Sequence, residues 1–390
     1  MKIGLICPYD ISRRGGVYEQ VAAIRTELER RGHIAKIITP EPQGIPDCST
    51  DNTIFIGTAV DLKSPFHTTV QVSASLNESI DRMLAAEKFD VLHFHEPWVP
   101  MLGRQILGRS QNTLNVATFH AALPDTPMSR TIMKTVTLYT KSTLKYVHEY
   151  TAVSEAAAQY ICSLTDNPVT IIPNGIDLDR FKSPSRRDDN KEHKTIFYVG
   201  RLENRKGVKY LLRAFKLLSE QKPDISLIIA GTGPDSDKLE ALAQNLALDN
   251  VTFPGYITDD QKIQYLRTAD LFCSPALYGE SFGIVLLEAM ATGIVTAAGN
   301  NPGYSAILHG LGSVSIVDPK DSEEFARRLD LLLHENELRK LWRSWAKEEV
   351  GQYSFTHVVS QYEELYKEGL IKRGRKRRSL RSTLTKVKQP

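Results

Sequence analysis

Cysteine is scarce in this chain of 390 residues, and the four present, Cys7, Cys48, Cys162 and Cys273, never fall in a C-x-x-C spacing. That excludes a disulfide scaffold and a cysteine-ligated zinc site, and it fits reduced, buried thiols. No run of about 18 apolar residues occurs, so no transmembrane helix is expected. The start, Met1-Lys2-Ile3-Gly4, enters a strand pattern directly, without the basic and then apolar leader of a secreted protein, and a cytoplasmic location is expected. A G-x-G-x-x-G fingerprint is missing, which speaks against a nicotinamide dinucleotide. Acidic residues are missing from 126–148 and from 371–390. The second of these segments holds nine Lys or Arg, so the formal net charge of +3 hides a body in which 40 basic residues face 46 acidic ones. A tail of that composition is expected to be disordered and either solvated or attracted to anionic lipid; it lacks the interleaved aromatics that would stack on nucleic acid bases, and no nucleic acid partner is expected.

The length calls for two domains, and short β-branched runs alternate with amphipathic stretches in both halves. Strands are expected near 2–7, 34–39, 53–56, 90–94, 115–119 and 149–153, then near 195–200, 225–230, 251–254, 270–273, 294–297 and 313–316. The polar stretch from Ser183 to Lys194 divides the two sets. Expected boundaries are 1–182 for the first doubly wound α/β domain, 183–194 for the linker, 195–350 for the second, 351–370 for a terminal helix, and 371–390 for the tail.

The segment Glu280-Ser281-Phe282-Gly283-Ile284-Val285-Leu286-Leu287-Glu288 places two carboxylates eight residues apart at the start of an otherwise apolar helix. A helix hydrophobic all round is buried, so Glu288 needs a partner: a structural cation or the hydroxyls of a sugar or ribose. Upstream, Val199-Gly200-Arg201-Leu202-Glu203-Asn204-Arg205-Lys206-Gly207 carries a strand into a turn holding Arg201 and Lys206. In an open α/β sheet ligands bind beyond the carboxyl ends of strands, and cations there, with the amides of Ser281, Phe282, Gly283, Ile284 and Val285 at a helix start, suit a diphosphate.

Smaller signals agree with a cleft site. Gly15-Gly16 lies between the first strand and its helix, either as a tight turn or as a place for close approach of phosphate. His120 ends an apolar strand. His93 and His95 share a strand face, yet no third ligand follows at suitable spacing, and no metal is assigned. Tyr256-Ile257-Thr258-Asp259-Asp260-Gln261-Lys262 follows a strand; Thr258 or Asp259 caps a helix there, and Lys262 is either solvated or close to a ligand. Arg130, Lys134, Lys141 and Lys145 fall within about 60° of one another at helical pitch, opposite Ile132, Met133, Val136, Leu144 and Val147. That stripe is either an ordinary surface face or a lipid-docking face.

Together these motifs, with Ile3-Gly4-Leu5-Ile6-Cys7-Pro8-Tyr9, Phe94-His95-Glu96-Pro97, Ala117-Thr118-Phe119-His120 and Ile172-Pro173-Asn174-Gly175-Ile176-Asp177, resemble the retaining glycosyltransferases of family 4, in the phosphatidylinositol mannosyltransferase branch. The resemblance implies the α/β fold called GT-B, two facing Rossmann-like domains with an interdomain active-site cleft and a terminal helix, 351–370, that crosses back to the first domain. It implies transfer of a hexose, mannose from GDP-mannose, to a lipid acceptor such as phosphatidylinositol, with no metal or other cofactor. His120, Arg201, Lys206 and Glu280 would be catalytic. Gly16, Ile257, Lys262, Ser281, Phe282, Gly283, Ile284, Val285 and Glu288 would hold the nucleotide sugar with Arg201, Lys206 and Glu280. Tyr9 and Tyr18 would face the acceptor, although Tyr18 stands where that branch commonly has glutamine. The family's lipid-linked acceptors imply peripheral attachment to the inner face of the cell membrane through Arg130, Lys134, Lys141 and Lys145. Alternative readings are a diacylglycerol glucosyltransferase, a family 4 transferase using UDP-glucose or UDP-N-acetylglucosamine with a soluble or polysaccharide acceptor, and a nucleotide-sugar-binding scaffold without activity.

Overall fold

The computed structural model describes residues 1–12, 15–45, 50–63, 69–99, 101–121, 137–182 and 191–386. The chain divides into two compact units, one formed by Met1–Gly175 with Phe355–Pro390 and the other by Ile176–Ser354.

The first unit runs β1 (Lys2–Ile6), α1 (Gly16–Arg30), β2 (Ile34–Glu41), β3 (Thr53–Lys63), β4 (Thr69–Ala74), α2 (Asn77–Glu87), β5 (Val91–His95), α3 (Leu102–Arg109), β6 (Leu114–Phe119), a helix α4 at 137–144, β7 (Glu149–Ala152), α5 (Glu155–Cys162) and β8 (Val169–Ile171). Among the described residues the sheet order is β4-β3-β2-β1-β5-β6-β7-β8, parallel except for the antiparallel β3–β4 pair. Strands β1, β5 and β6 read as nearly unbroken buried runs because helices cover both faces of a parallel sheet. Strand order reverses between β1 and β5, so their carboxyl ends, at Cys7 and Glu96, flank the crevice where such folds bind ligands.

The second unit contains α6 (Leu178–Phe181), β9 (Lys194–Val199), α7 (Val208–Gln221), β10 (Ile225–Ala230), α8 (Ser236–Asn245), β11 (Val251–Gly255), α9 (Asp259–Thr268), β12 (Leu271–Ser274), α10 (Ile284–Thr292), β13 (Val295–Gly299), α11 (Pro302–Ile307), β14 (Ile316–Val317), α12 (Ser322–His334) and α13 (Asn336–Gly351). Its described strands are all parallel, in the order β11-β10-β9-β12-β13-β14. Here the order reverses between β9 and β12. The loops that follow these two strands carry Arg201 to Lys206 and Glu280, which is why residues some 75 positions apart in sequence meet at one end of the sheet.

The last helix, α14 (Phe355–Lys386), returns to the first unit. Val358, Val359, Tyr362 and Tyr366 recur at helical spacing and are buried in the same core as Ile3, Leu5, Val91 and Val116. Arg31, after α1, donates to Glu363 Oε2 at 2.5 Å, and the His33 ring meets Glu363 Oε1 at 2.6 Å.

Four expectations change. The units divide at Gly175/Ile176 and Ser354/Phe355 rather than at 183–194, because α6 packs against α10 and belongs to the second unit; residues 183–190 lie outside the described residues. The segment expected as a disordered tail from 371 is helical through Lys386, continuing α14. A strand expected at 313–316 is a 3₁₀ turn, Gly310–Ser315, followed by the two-residue β14. Strands β4 and β8 were not anticipated, since β8 shows neither alternation nor a fully buried run. Of the cysteines, Cys7 and Cys273 are buried and Cys162 is exposed; Cys48 lies outside the described residues.

Candidate active site

In the second unit the strand β9 ends at a 3₁₀ turn, Asn204–Lys206, closed by Gly207 at φ +72°. A side chain at Gly207 would stand 2.0 Å from the Pro275 carbonyl oxygen, so glycine here lets the turn press against the loop after β12. That approach delivers two cations to one carboxylate. Arg205 Nη1 and Lys206 Nζ each donate to Glu280 Oε1 at 2.7 Å, and Arg205 also donates to the Gly279 carbonyl at 3.2 Å. The other side of the Arg205 guanidinium pairs with Glu203, Nε to Oε1 at 2.7 Å. Arg201 stands further out: its side chain is 59% exposed and its Nε lies 3.6 Å from Glu203 Oε2. Three cations thus stand about two carboxylates, a local excess of positive charge in which Arg205 and Lys206 are held by Glu280 and Arg201 reaches into solvent.

Helix α10 begins beside this cluster. Its N-cap, Gly283, adopts φ +109°, a conformation that suits glycine, and a Cβ there would come within 2.8 Å of the Tyr304 ring. The first amides of α10 lack partners one turn back along the helix, which leaves a positive helix end near Glu280. Phe282 is buried, its ring edge-on to Tyr353 with centroids 5.8 Å apart. Ser281, Ile284 and Val285 are half-buried around it.

Glu288, one turn into α10, finds a partner in Lys262 of α9, with Nζ to Oε1 at 2.9 Å. Lys262 also lies 3.4 Å from Asp259 and 5.8 Å from the Phe181 ring centroid. Burial works against the ammonium, but Glu288 and Asp259 outweigh it and the net shift is upward. The partner of Glu288 in this structure is therefore a lysine. Thr258 is a true helix cap: its hydroxyl accepts from the Gln261 amide while Gln261 reaches back to the Thr258 amide. Ile257, just before it, is half-buried.

In the first unit, apart from chain neighbours and the helix's own backbone, no atom of the described residues lies within 4 Å of where a Cβ on Gly15 or Gly16 would sit. Packing among the described residues does not require glycine there. His120 stands at the carboxyl end of β6 as expected, but it is 8% exposed and its Nε2 lies 2.8 Å from His95 Nδ1. Burial pushes the His120 pKa down to about 4 against the opposing effect of a hydrogen bond to Asn174. Glu96, at φ +52°, accepts from the amides of His120 (2.6 Å) and Ala121 (2.7 Å) through Oε1. Burial nevertheless drives its pKa up to about 7. His93 is held at both nitrogens, Nδ1 by the Tyr366 hydroxyl at 2.7 Å and Nε2 by Thr118 Oγ1 at 2.6 Å. Tyr9 follows β1, and its hydroxyl is pushed well up in pKa by burial and then by Glu96.

Tyr18 departs from expectation: it is 5% exposed within the core of the first unit, because in the first turn of α1 it falls on the face that Val21 and Ile24 bury against the sheet. Buried in the core, it is not placed to face an acceptor. Lys141 and Lys145 are exposed at and just after α4, and Leu144 and Val147 beside them are buried, as an amphipathic helix requires; Arg130 and Lys134 lie outside the described residues. Sequence reasoning missed Arg205 and the His95–Glu96 pair. Glu96 follows a strand end at the switch point, which was a readable signal; which of Arg201 and Arg205 meets the carboxylate was not. No helix among the described residues is long and apolar enough to cross a membrane.

Comparison with known proteins matches residues 14–180 to the family model described as Glycosyltransferase Family 4 and residues 179–349 to the one described as Glycosyl transferases group 1. A phosphatidyl-myo-inositol mannosyltransferase of Mycobacterium tuberculosis is 32% identical over 381 residues, covering 94% of this chain and 96% of the relative. Among solved structures, a glycosyltransferase from Rickettsia africae superposes with a TM-score of 0.74 at 19% identity, over 95% of this chain and 98% of that one. The Anabaena protein HepE in complex with UDP superposes with a TM-score of 0.73 at 17% identity, over 94% of this chain and all of its own. Two matched halves, a relative aligned end to end and a shared two-unit architecture establish that the chain belongs to glycosyltransferase family 4 and has the GT-B fold.

Proposed function

We propose that the protein transfers mannose from GDP-mannose to phosphatidylinositol, with retention of anomeric configuration and without a metal ion. The observation that carries this reading is the Arg205–Glu280–Lys206 cluster at the switch point of the second sheet, beside the positive start of α10. Lys206, Arg201 and Arg205 would neutralise charge on the departing diphosphate, supplying from side chains what a divalent ion supplies elsewhere. Glu280, released from its cations as the phosphates arrive, would hold sugar hydroxyls. Glu288 and Lys262 would address the nucleoside with the main chain at Ile257, and the amides of Ser281, Phe282, Gly283, Ile284 and Val285 would meet phosphate. Gly16 leaves open space for the diphosphate or the sugar, and His120 would hydrogen-bond the sugar from the first unit. Tyr9, at the end of β1, would contact the acceptor.

The choice of donor and acceptor leans on the relative from Mycobacterium tuberculosis, aligned at 32% identity over nearly its whole length. Attachment to the inner membrane face through exposed Lys141 and Lys145, together with the basic end of α14, would bring the enzyme to its lipid at roughly 1 kcal/mol per cation. The direct experiment incubates the protein with labelled GDP-mannose and phosphatidylinositol vesicles, with UDP-glucose and diacylglycerol vesicles as the second arm. Labelled mannolipid in the first arm alone supports the proposal; glycolipid in the second arm alone replaces it with the diacylglycerol glucosyltransferase reading.

A further inference from the structure

We propose that His95 and Glu96 are positioning residues for His120, fixing its ring and its main chain together before substrate arrives. This inference rests on the reading of His120 as an active-site group.

Glu96 grips the end of β6 from both sides of its own backbone. Its amide donates to the Thr118 carbonyl at 2.9 Å, and its Oε1 accepts the amides of His120 and Ala121. A non-glycine residue at φ +52° persists only where the surroundings over-determine it. Three hydrogen bonds to three residues of one turn supply that determination.

His95 fixes the ring. Two neutral imidazoles that meet nitrogen to nitrogen share a single proton, so one must donate and the other accept. Either ring can be the donor; the contact pins His120 at Nε2, and its hydrogen bond to Asn174 holds the ring further. His95 Nε2 and Glu96 Oε2 are buried atoms to which no group among the described residues bonds.

The neighbouring His93 is fixed independently. Thr151 Oγ1 donates to the Ala117 carbonyl and therefore accepts from Thr118, which leaves Thr118 to accept from His93 Nε2, while the Tyr366 hydroxyl donates to His93 Nδ1. The shared strand thus holds one histidine tied to α14 and one tied to His120.

The test combines ¹⁵N-histidine spectra at pH 7 with turnover of GDP-mannose on phosphatidylinositol vesicles, for wild type, His95→Phe, Glu96→Gln, Glu96→Ala and His120→Ala. His120 should appear as a neutral imidazole locked in one tautomer. His95→Phe should move its Nε2 resonance and lower kcat at least tenfold, with donor KM within twofold of wild type. Glu96→Gln keeps an acceptor oxygen and should retain at least half of kcat, whereas Glu96→Ala should lose tenfold or more. A wild-type spectrum showing averaged tautomers or an imidazolium overturns the assignment; it needs no variant and so decides even if His95→Phe does not fold. Wild-type kcat in both His95→Phe and Glu96→Ala, alongside an inactive His120→Ala, also overturns it. Wild-type turnover in His120→Ala overturns instead the reading of His120, and the spectrum then bears on the positioning claim alone.

Discussion

Lys262 Nζ lies 2.9 Å from Glu288 Oε1, joining α9 to the apolar α10 through the carboxylate that its sequence leaves without an obvious partner. Both side chains are largely shielded, at 19% and 13% exposure. Removing Glu288 leaves the shielded Lys262 ammonium to its longer contact with Asp259 at 3.4 Å. Glu288→Ala should therefore lower stability by about 1–3 kcal/mol, read as a fall in Tm, and the double variant Glu288→Ala/Lys262→Met should recover part of that loss. An additive double variant would mean the pair is not coupled.

Tyr366→Phe removes the hydroxyl that satisfies His93 Nδ1 while keeping the aromatic ring. The bared nitrogen is fully buried, so a loss of about 1–3 kcal/mol is expected by denaturant unfolding, with α14 loosened in hydrogen exchange. Unchanged stability would show that the proton chain from Tyr366 to Thr151 does not hold.

The buried titratable groups of the first unit predict opposite pH trends. His93 and His120 are pushed down to about 3 and about 4, chiefly by burial, so the stability they contribute is complete above their usual value of 6.5 and is lost as pH falls through 4 and then 3. Glu96 is raised from 4.5 to about 7, again by burial, so its contribution is present below 4.5 and is lost as pH rises through 7. Melting curves of wild type and Glu96→Gln should show the variant gaining on wild type between pH 4.5 and 8. A constant difference across that range would contradict the burial of a protonated Glu96.

Charge reversal of exposed Lys141 and Lys145 to Glu should weaken sedimentation with anionic vesicles severalfold while leaving nucleotide binding unchanged. Equal sedimentation of variant and wild type would leave those lysines as ordinary solvated residues.

Much of this architecture is legible in the sequence because parallel strands buried on both faces write themselves as short apolar runs, and β1, β5, β9 and β10 do so. The meeting of Lys206 with Glu280 was legible for a different reason, since both follow strands that the fold rule places side by side. Arg205 was not, because nothing in a linear reading says which of Arg201 and Arg205 turns toward the carboxylate. The 3₁₀ turn decides it, sending Arg205 to Glu280 and leaving Arg201 in solvent. Tyr18 was assigned to the acceptor by resemblance alone, whereas its helical register with Val21 and Ile24 puts it in the core. Unit boundaries escaped because α6 belongs by packing, not by composition, to the second unit.

The account depends most on Lys206 as part of the cationic seat for the departing diphosphate, with Glu280 released to the sugar. Steady-state turnover of Lys206→Ala at saturating donor tests it directly: loss of one such cation is worth about 2.7–4 kcal/mol, so kcat should fall roughly a hundredfold or more while the variant melts near wild type. Turnover within a factor of two of wild type would contradict it.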